Sequence, residues 1–188
     1  DQHGLADNTV VVYTSDQGFF LGEHGLFDKR YMYEESLRTP LVIRYPDKII
    51  PGLICNELVQ NLDIAPTILE MAGANIPGEM QGQSLHSLFK TPVIASWRDA
   101  VYYQFFESGW GVPQHYGIRT KTHKLIHFLS EPENWELYDL ENDPHEMHNV
   151  YYETANDRLI FDLKDKLKGL QTLYKVSEAS DSGASQSH

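Results

Sequence analysis

Asp16 and Gln17 stand side by side where an apolar stretch ends, and Lys29 follows thirteen residues after Asp16. A carboxylate beside a side-chain carbonyl is a donor set for a hard cation such as Ca2+ or Mg2+, which take oxygen ligands. Two residues do not fill a six-coordinate shell, so the remaining ligands must come from elsewhere. A lysine close to such a cation adds a second positive charge, and the two together suit the oxyanion of an ester. Against this stands a simpler reading: a strand-ending Asp that caps a turn, and an exposed surface lysine. His24 lies between them. It could reach a substrate or move a proton, or be a loop histidine satisfied by neighbouring backbone.

The elements that must position these residues are legible from patterning. Residues 9–15 (TVVVYTS) form a continuously apolar, β-branched run, as expected of a strand covered on both faces in a parallel or mixed sheet. Asp16 and Gln17 would then emerge at its carboxyl end, where ligands bind in open α/β sheets. Residues 16–30 contain three glycines and read as a loop. Residues 31–38 allow one or two helical turns, stopped by Thr39-Pro40. Residues 41–45 give a second short strand. Residues 63–71 (DIAPTILEM) have helical periodicity, with Asp63 as N-cap, Pro66 in the first turn and Gly73 beyond the end. Residues 74–96 are rich in Gly, Pro, Gln and Ser and are expected to cross the surface.

Beyond them the pattern changes. Residues 100–106, 115–120, 124–128 and 135–138 are short β-like runs separated by turn signals, the last three spaced as antiparallel neighbours. Residues 156–174 place Leu159, Ile160, Leu163, Leu167, Leu170 and Leu173 near the helical period, so an amphipathic helix should pack across that sheet. The expected fold class is therefore α/β (α+β). Residues 1–96 would end a larger α/β domain, residues 97–176 would form a sheet-plus-helix subdomain, and residues 177–188 a disordered polar tail.

Charge and composition narrow the functions. Of 188 residues, 27 are acidic and 15 basic, a net charge of −12, which argues against tracking nucleic-acid phosphates. Any anion site must be locally positive. No apolar run approaches the ~20 residues of a membrane helix. Cys55 is the single cysteine and its context suggests a small buried hydrophobe. Asp139, Glu141, Asp143 and Glu146 lack EF-hand spacing, and Asn142-Asp143-Pro144 signals a turn and a helix start. His145 and His148 alone do not make a zinc site. His115 sits in a predicted strand, either contacting a ligand or buried in the sheet. The opening residues, with Gly4 placed as a helix terminator, read as the end of a preceding element. Unpaired edges of the first strand would favour a homo-oligomer.

The pattern Asp-Gln-Gly-x-x-x-Gly-Glu-His-Gly-x-x-x-Lys over residues 16–29, followed by Tyr-Glu-Glu-Ser-Leu-Arg-Thr-Pro-Leu over residues 33–41, resembles the metal- and anion-binding segment of the type I sulfatases, members of the alkaline-phosphatase-like superfamily. A second similarity covers residues 115–120, 124–126 and the Leu-Tyr-Asp-Leu-x-x-Asp-Pro-x-Glu turn at 137–146, like the family's C-terminal subdomain. The resemblance runs from about residue 7 to about residue 174. It implies that Asp16 and Gln17 bind Ca2+ or Mg2+; the family more often carries His or Asn at the second position. It implies that Lys29 contacts and polarises the sulfate, and that His24 and His115 border the substrate. Residues 27–34 are similar to N-acetylglucosamine-6-sulfatases, implying a sulfated carbohydrate substrate.

The family's nucleophile is a formylglycine made from a Cys-x-Pro/Ala-x-Arg segment. Cys55-Asn56-Glu57-Leu58-Val59 does not match it. The expectation is thus a C-terminal portion of a sulfatase, inactive without the N-terminal part of the same polypeptide, in a periplasmic or secreted enzyme. The alternatives are a phosphatase or phosphodiesterase of the same superfamily, or a non-catalytic glycan-binding accessory module.

Overall fold

A computed structural model describes residues 2–91, 94, 96–108 and 110–176. In chain order its strands and helices are β1 (Val11–Thr14), β2 (Phe20–Leu21), β3 (Phe27–Asp28), α1 (Glu34–Leu37), β4 (Leu41–Arg44), α2 (Ile64–Met71), β5 (Ala100–Phe105), β6 (His115–Thr120), β7 (His123–Phe128), β8 (Asn134–Asp139) and α3 (Asp157–Leu173). The chain divides into two compact units. One holds residues 1–18 and 38–99; the other holds residues 19–37 and the chain from 100 onward. The segment 19–37, which carries Lys29, clusters with the sheet that comes eighty residues later rather than with the strand that precedes it. The disorder expected for residues 177–188 lies outside the described residues.

In the first unit β1 pairs antiparallel with β4, Val11 opposite Arg44 and Thr14 opposite Leu41. The expectation that β1 is covered on both faces is not met within this chain: Val11 and Tyr13 are 50% and 65% exposed. Among the described residues β4 is the only strand paired to it, so its apolar side chains exceed what the chain can cover. The unit's core is Leu85, Leu88, Phe89 and Trp97, with Leu41, Ile43, Tyr45, Ile49 and Met71 packed against it. Residues 74–96 are thus no mere surface crossing. A 3-10 turn at Leu85–Phe89, capped by Ser84 accepting from the His86 amide, turns three apolar side chains inward.

Asp63 organises the rest of this unit. It is fully buried and accepts from the backbone amides of Gln60 (2.7 Å) and Gln83 (2.8 Å) and from both terminal nitrogens of Arg98. A buried carboxylate needs such partners, because an uncompensated charge in the interior is very costly. Thr67 extends the lattice, donating to the Asp63 carbonyl and accepting from the Leu85 amide. Gly82 is obligatory here, since a Cβ would overlap the Leu62 carbonyl.

The second unit is an antiparallel meander, β5-β6-β7-β8. The four predicted β runs are present within a residue or so of their expected ends. Helix α3 covers one face, where Ala100, Ile118, Leu125 and Leu137 meet Leu163 and Leu167. The segment 19–37 covers the other, where Met32 and Tyr31 and Tyr33 meet Ile126, Phe128 and Tyr138. Alternate residues of β7 therefore enter different cores, and five of its six positions are buried. The 137–146 turn is structural as expected. Asp139 accepts from the amides of Glu141 and Asn142, and Asp143 from that of His148. No helix starts at Pro144; the chain turns there and the next 3-10 turn begins at Thr154.

Candidate functional site

Asp16 lies just past β1, with an exposed residue surface, and Gln17 is half-buried. The local turn is knitted by its own polar groups. Ser15 Oγ donates to the Gln17 carbonyl at 2.9 Å and to Asp16 Oδ1 at 3.3 Å. Asn61 Nδ2 donates to the Asp16 carbonyl at 2.5 Å and, more weakly, to that of Ser15 at 3.4 Å. An open groove beside this turn is lined by Thr14, Ser15, Asp16, Asn61, Ile64, Ala65 and Ile68. The donors are a carboxylate and an amide oxygen, which fit Ca2+ or Mg2+ and poorly fit zinc. By themselves they would supply only part of a shell: among the described residues no three His, Cys, Asp or Glu side chains form a metal-holding group.

The second unit carries His24, Lys29 and Arg30. Residues 16–30 are not the plain loop the sequence suggests. β2 and β3 pair, Phe20 opposite Asp28 and Leu21 opposite Phe27, around a 3-10 turn at Glu23–Gly25. Gly22 (φ 130°) and Gly25 (φ 68°) make that turn, and His24 and Asp28 are also held at positive φ. Lys29 follows immediately, half-buried in a bend. Next to it, Arg30 forms an ion pair with Asp28, and its guanidinium lies 4.0 Å from the Trp110 ring centroid. Trp110 is 58% exposed. Tyr103 fixes the backbone here by donating to the Arg30 carbonyl at 2.6 Å.

His24 is packed inward. Its ring stacks on Tyr33 at 4.4 Å, and Nε2 is 3.3 Å from Glu35 Oε2. Both contacts lie within the segment 19–37. His115 is fully buried in β6, its Nδ1 2.8 Å from the Pro113 carbonyl and its ring among Tyr31, Tyr103, Phe105 and Phe128. Burial holds its pKa below the usual histidine value, against the opposing pull of the Pro113 and Arg30 carbonyls. Of the two readings offered for His115, the buried sheet histidine is the one present: it has no surface to offer a sugar. Cys55, expected to be buried, is exposed.

Beneath the Lys29 segment lies a buried charge cluster that patterning did not reveal. Lys124 Nζ, fully buried, is 2.9 Å from Glu34 Oε1 and 2.7 Å from Glu146 Oε1. Glu146 Oε2 accepts from the Glu34 amide at 2.7 Å, capping α1, and Arg119 adds a second cation to Glu34 at 3.2 Å. Two cations outweigh burial at Glu34 and hold its carboxyl below the usual range. Glu146 has one cation and is repelled by Glu34, so burial wins and its carboxyl is pushed up. Glu146 also sits at φ 53°, strain that the surrounding contacts must offset. Arg30 could have been found from its adjacency to Lys29, and Trp110 from its Gly-Trp-Gly setting.

Comparison with known proteins supplies the family. Residues 22–173 match the sequence family described as N-sulphoglucosamine sulphohydrolase, C-terminal. The chain is 46% identical over 181 residues to N-acetylglucosamine-6-O-sulfatase from Bacteroides thetaiotaomicron, an alignment covering 93% of this chain and 32% of the relative. It is 31% identical over 174 residues to an arylsulfatase from Clostridium perfringens, covering 90% of this chain and 35% of that one. Among solved structures, one determined in complex with its substrate D-glucosamine-2-N,6-O-disulfate superposes with a TM-score of 0.91 at 44% identity, covering 96% of this chain and 37% of that one. The chain thus spans about a third of the length of the curated relatives it matches. With its Lys29 segment, its four-stranded meander and its C-terminal helix all within that match, this chain belongs to the sulfatase family, as a relative of the N-sulphoglucosamine sulphohydrolase C-terminal domain.

Proposed function

We propose that this chain is the C-terminal part of a sulfatase that hydrolyses 6-O-sulfate esters on glucosamine-containing glycans. The observation that carries the reading is the order Asp16-Gln17, then Lys29-Arg30, inside a sequence match that runs through almost the whole chain. A cation held by Asp16 and Gln17, Ca2+ or Mg2+, would supply fixed positive charge for a sulfate oxygen. Lys29 adds an ammonium that favours the charge developing on the ester oxygens during S–O cleavage. A sugar alkoxide is a poor leaving group, so this positioned charge matters more than it would for a phenol sulfate.

The neighbours of Lys29 suit a hexosamine. The Arg30 nitrogens not turned to Asp28 offer donors to a carboxylate or sulfate-like substituent, and the Trp110 face opposite Arg30 offers an apolar surface to a sugar ring. His24, tied to Glu35 and Tyr33, shapes the loop that presents them. No segment of this sequence has the context of the family's nucleophile, so the 188 residues alone are expected to hydrolyse no sulfate ester.

The test is sulfate release from glucosamine 6-O-sulfate by the complete polypeptide, with the 188-residue chain assayed in parallel. Activity confined to the complete polypeptide, with K29A lowering kcat by about 10²–10³-fold, is expected. Turnover by the 188 residues alone, or full-rate turnover by K29A, would refute it. Metal-independent glycan binding by the short chain, with an inactive complete polypeptide, would favour an accessory module instead.

A further inference from the structure

Asn61 lies forty-five residues beyond Asp16, in a 3-10 turn at Asn61–Asp63 that precedes α2. Nothing in the motif that carries Asp16 and Gln17 points to it. Yet its amide nitrogen donates to the Asp16 carbonyl at 2.5 Å and to the Ser15 carbonyl at 3.4 Å. Its side chain also lines the groove beside Asp16. Both carbonyls belong to the turn whose side chains carry the two oxygen donors.

Asn61 is itself anchored from below. The turn that bears it is closed by the Gln60 amide donating to Asp63 Oδ2 at 2.7 Å and by the Asp63 amide donating to the Gln60 carbonyl at 2.9 Å. Asp63 is fully buried and clasped by Arg98, whose NH2 donates to Oδ1 at 2.7 Å. The lack of space for a Cβ at Gly82 locks the backbone next to Leu62. A rigid anchor thus ends in one exposed amide, and that amide holds the backbone of residues 15 and 16. Ser15 completes the brace from the other side through its contacts with Gln17 and Asp16.

We propose that Asn61 is a positioning residue for the cation site: Arg98 and Asp63 fix the 61–63 turn, and Asn61 fixes the Asp16-Gln17 backbone so that both side-chain oxygens are presented together. This rests on the assignment of Asp16 and Gln17 as cation ligands. Groups that orient metal ligands without touching the metal change affinity by about 10–100-fold when removed. The brace acts before the ion arrives, so its loss should appear as weaker binding, recoverable by mass action.

The experiment uses the complete sulfatase polypeptide and Ca2+ as probe, measuring the Ca2+-induced rise in Tm and the Ca2+ dependence of turnover for the parent, N61A, N61D and D16N. N61A should raise the half-saturating Ca2+ concentration about 10–100-fold, lower the Tm of the metal-stripped protein only slightly, and recover turnover as Ca2+ is raised. N61D keeps the shape but lacks the donor, and should behave like N61A. Parent-like Ca2+ binding in N61A, or binding restored in N61D, would overturn the brace. If D16N itself binds Ca2+ like the parent, the ligand assignment fails, which is a different result from failure of Asn61 alone.

Discussion

Replacing Lys124 with Met tests how the Lys29 segment is held to its sheet. The ammonium lies 2.7 Å from Glu146 and 2.9 Å from Glu34 with no solvent exposure. At an effective dielectric of about 20, each contact is worth ~6 kcal/mol of direct attraction. Desolvation takes several kcal/mol per ion from that total, and breaking a buried pair by removing one partner typically costs about 3–5 kcal/mol. For a chain of this size that corresponds to a fall of roughly 6–20 °C in Tm.

The pH dependence is more diagnostic. Glu146 is already pushed up by burial, and Lys124 is the group that pulls it down. Without Lys124 its folded pKa rises further. Stability from a carboxyl raised in the fold is present at low pH and lost as pH rises through the folded pKa. K124M should therefore be closer to the parent at pH 5 than at pH 8, and E146Q in the K124M background should restore part of the loss. Urea and thermal unfolding at both pH values give the answer. A K124M protein within about 1 kcal/mol of the parent at pH 8, or an equal deficit at both pH values, would refute the reasoning.

Two further outcomes follow from the packing of the same unit. G117A should destabilise by about 1–3 kcal/mol, because its Cβ would meet the Leu125 carbonyl and Met32 Sδ; unchanged urea unfolding would contradict that contact. His115 is held below the usual histidine pKa by burial, so it adds stability above the unfolded-state value that is lost as pH falls through the folded pKa. H115F keeps the ring stack and should flatten the decline in stability between pH 7.5 and 5.5, measured by urea unfolding; an unchanged decline would show that His115 does not titrate on unfolding.

Much of the second unit was legible because its signals are local. β5 to β8 are short β-branched and aromatic runs between turns, and α3 repeats Leu at the helical period, so their limits fell within a residue or so. What was not legible is long-range. Nothing in residues 19–37 announces that Met32 and Tyr33 will face a sheet built from residues 100–139. Lys124 and Glu146 look like surface charges until the fold brings Glu34 to the same ammonium. The apolar residues of 85–89 hid in a stretch whose Gly, Pro and Ser content suggested solvent. The Asp16, Gln17 and Lys29 trio was proposed from order and spacing; the link from Asn61 to Asp16 rests on a contact that no spacing encodes.

Bound-metal analysis of the complete polypeptide tests the central assignment most directly. The account predicts that the D16N/Q17A double variant loses the Ca2+ or Mg2+ that the parent carries, while K29A retains it. A double variant that binds the cation as the parent does would contradict it.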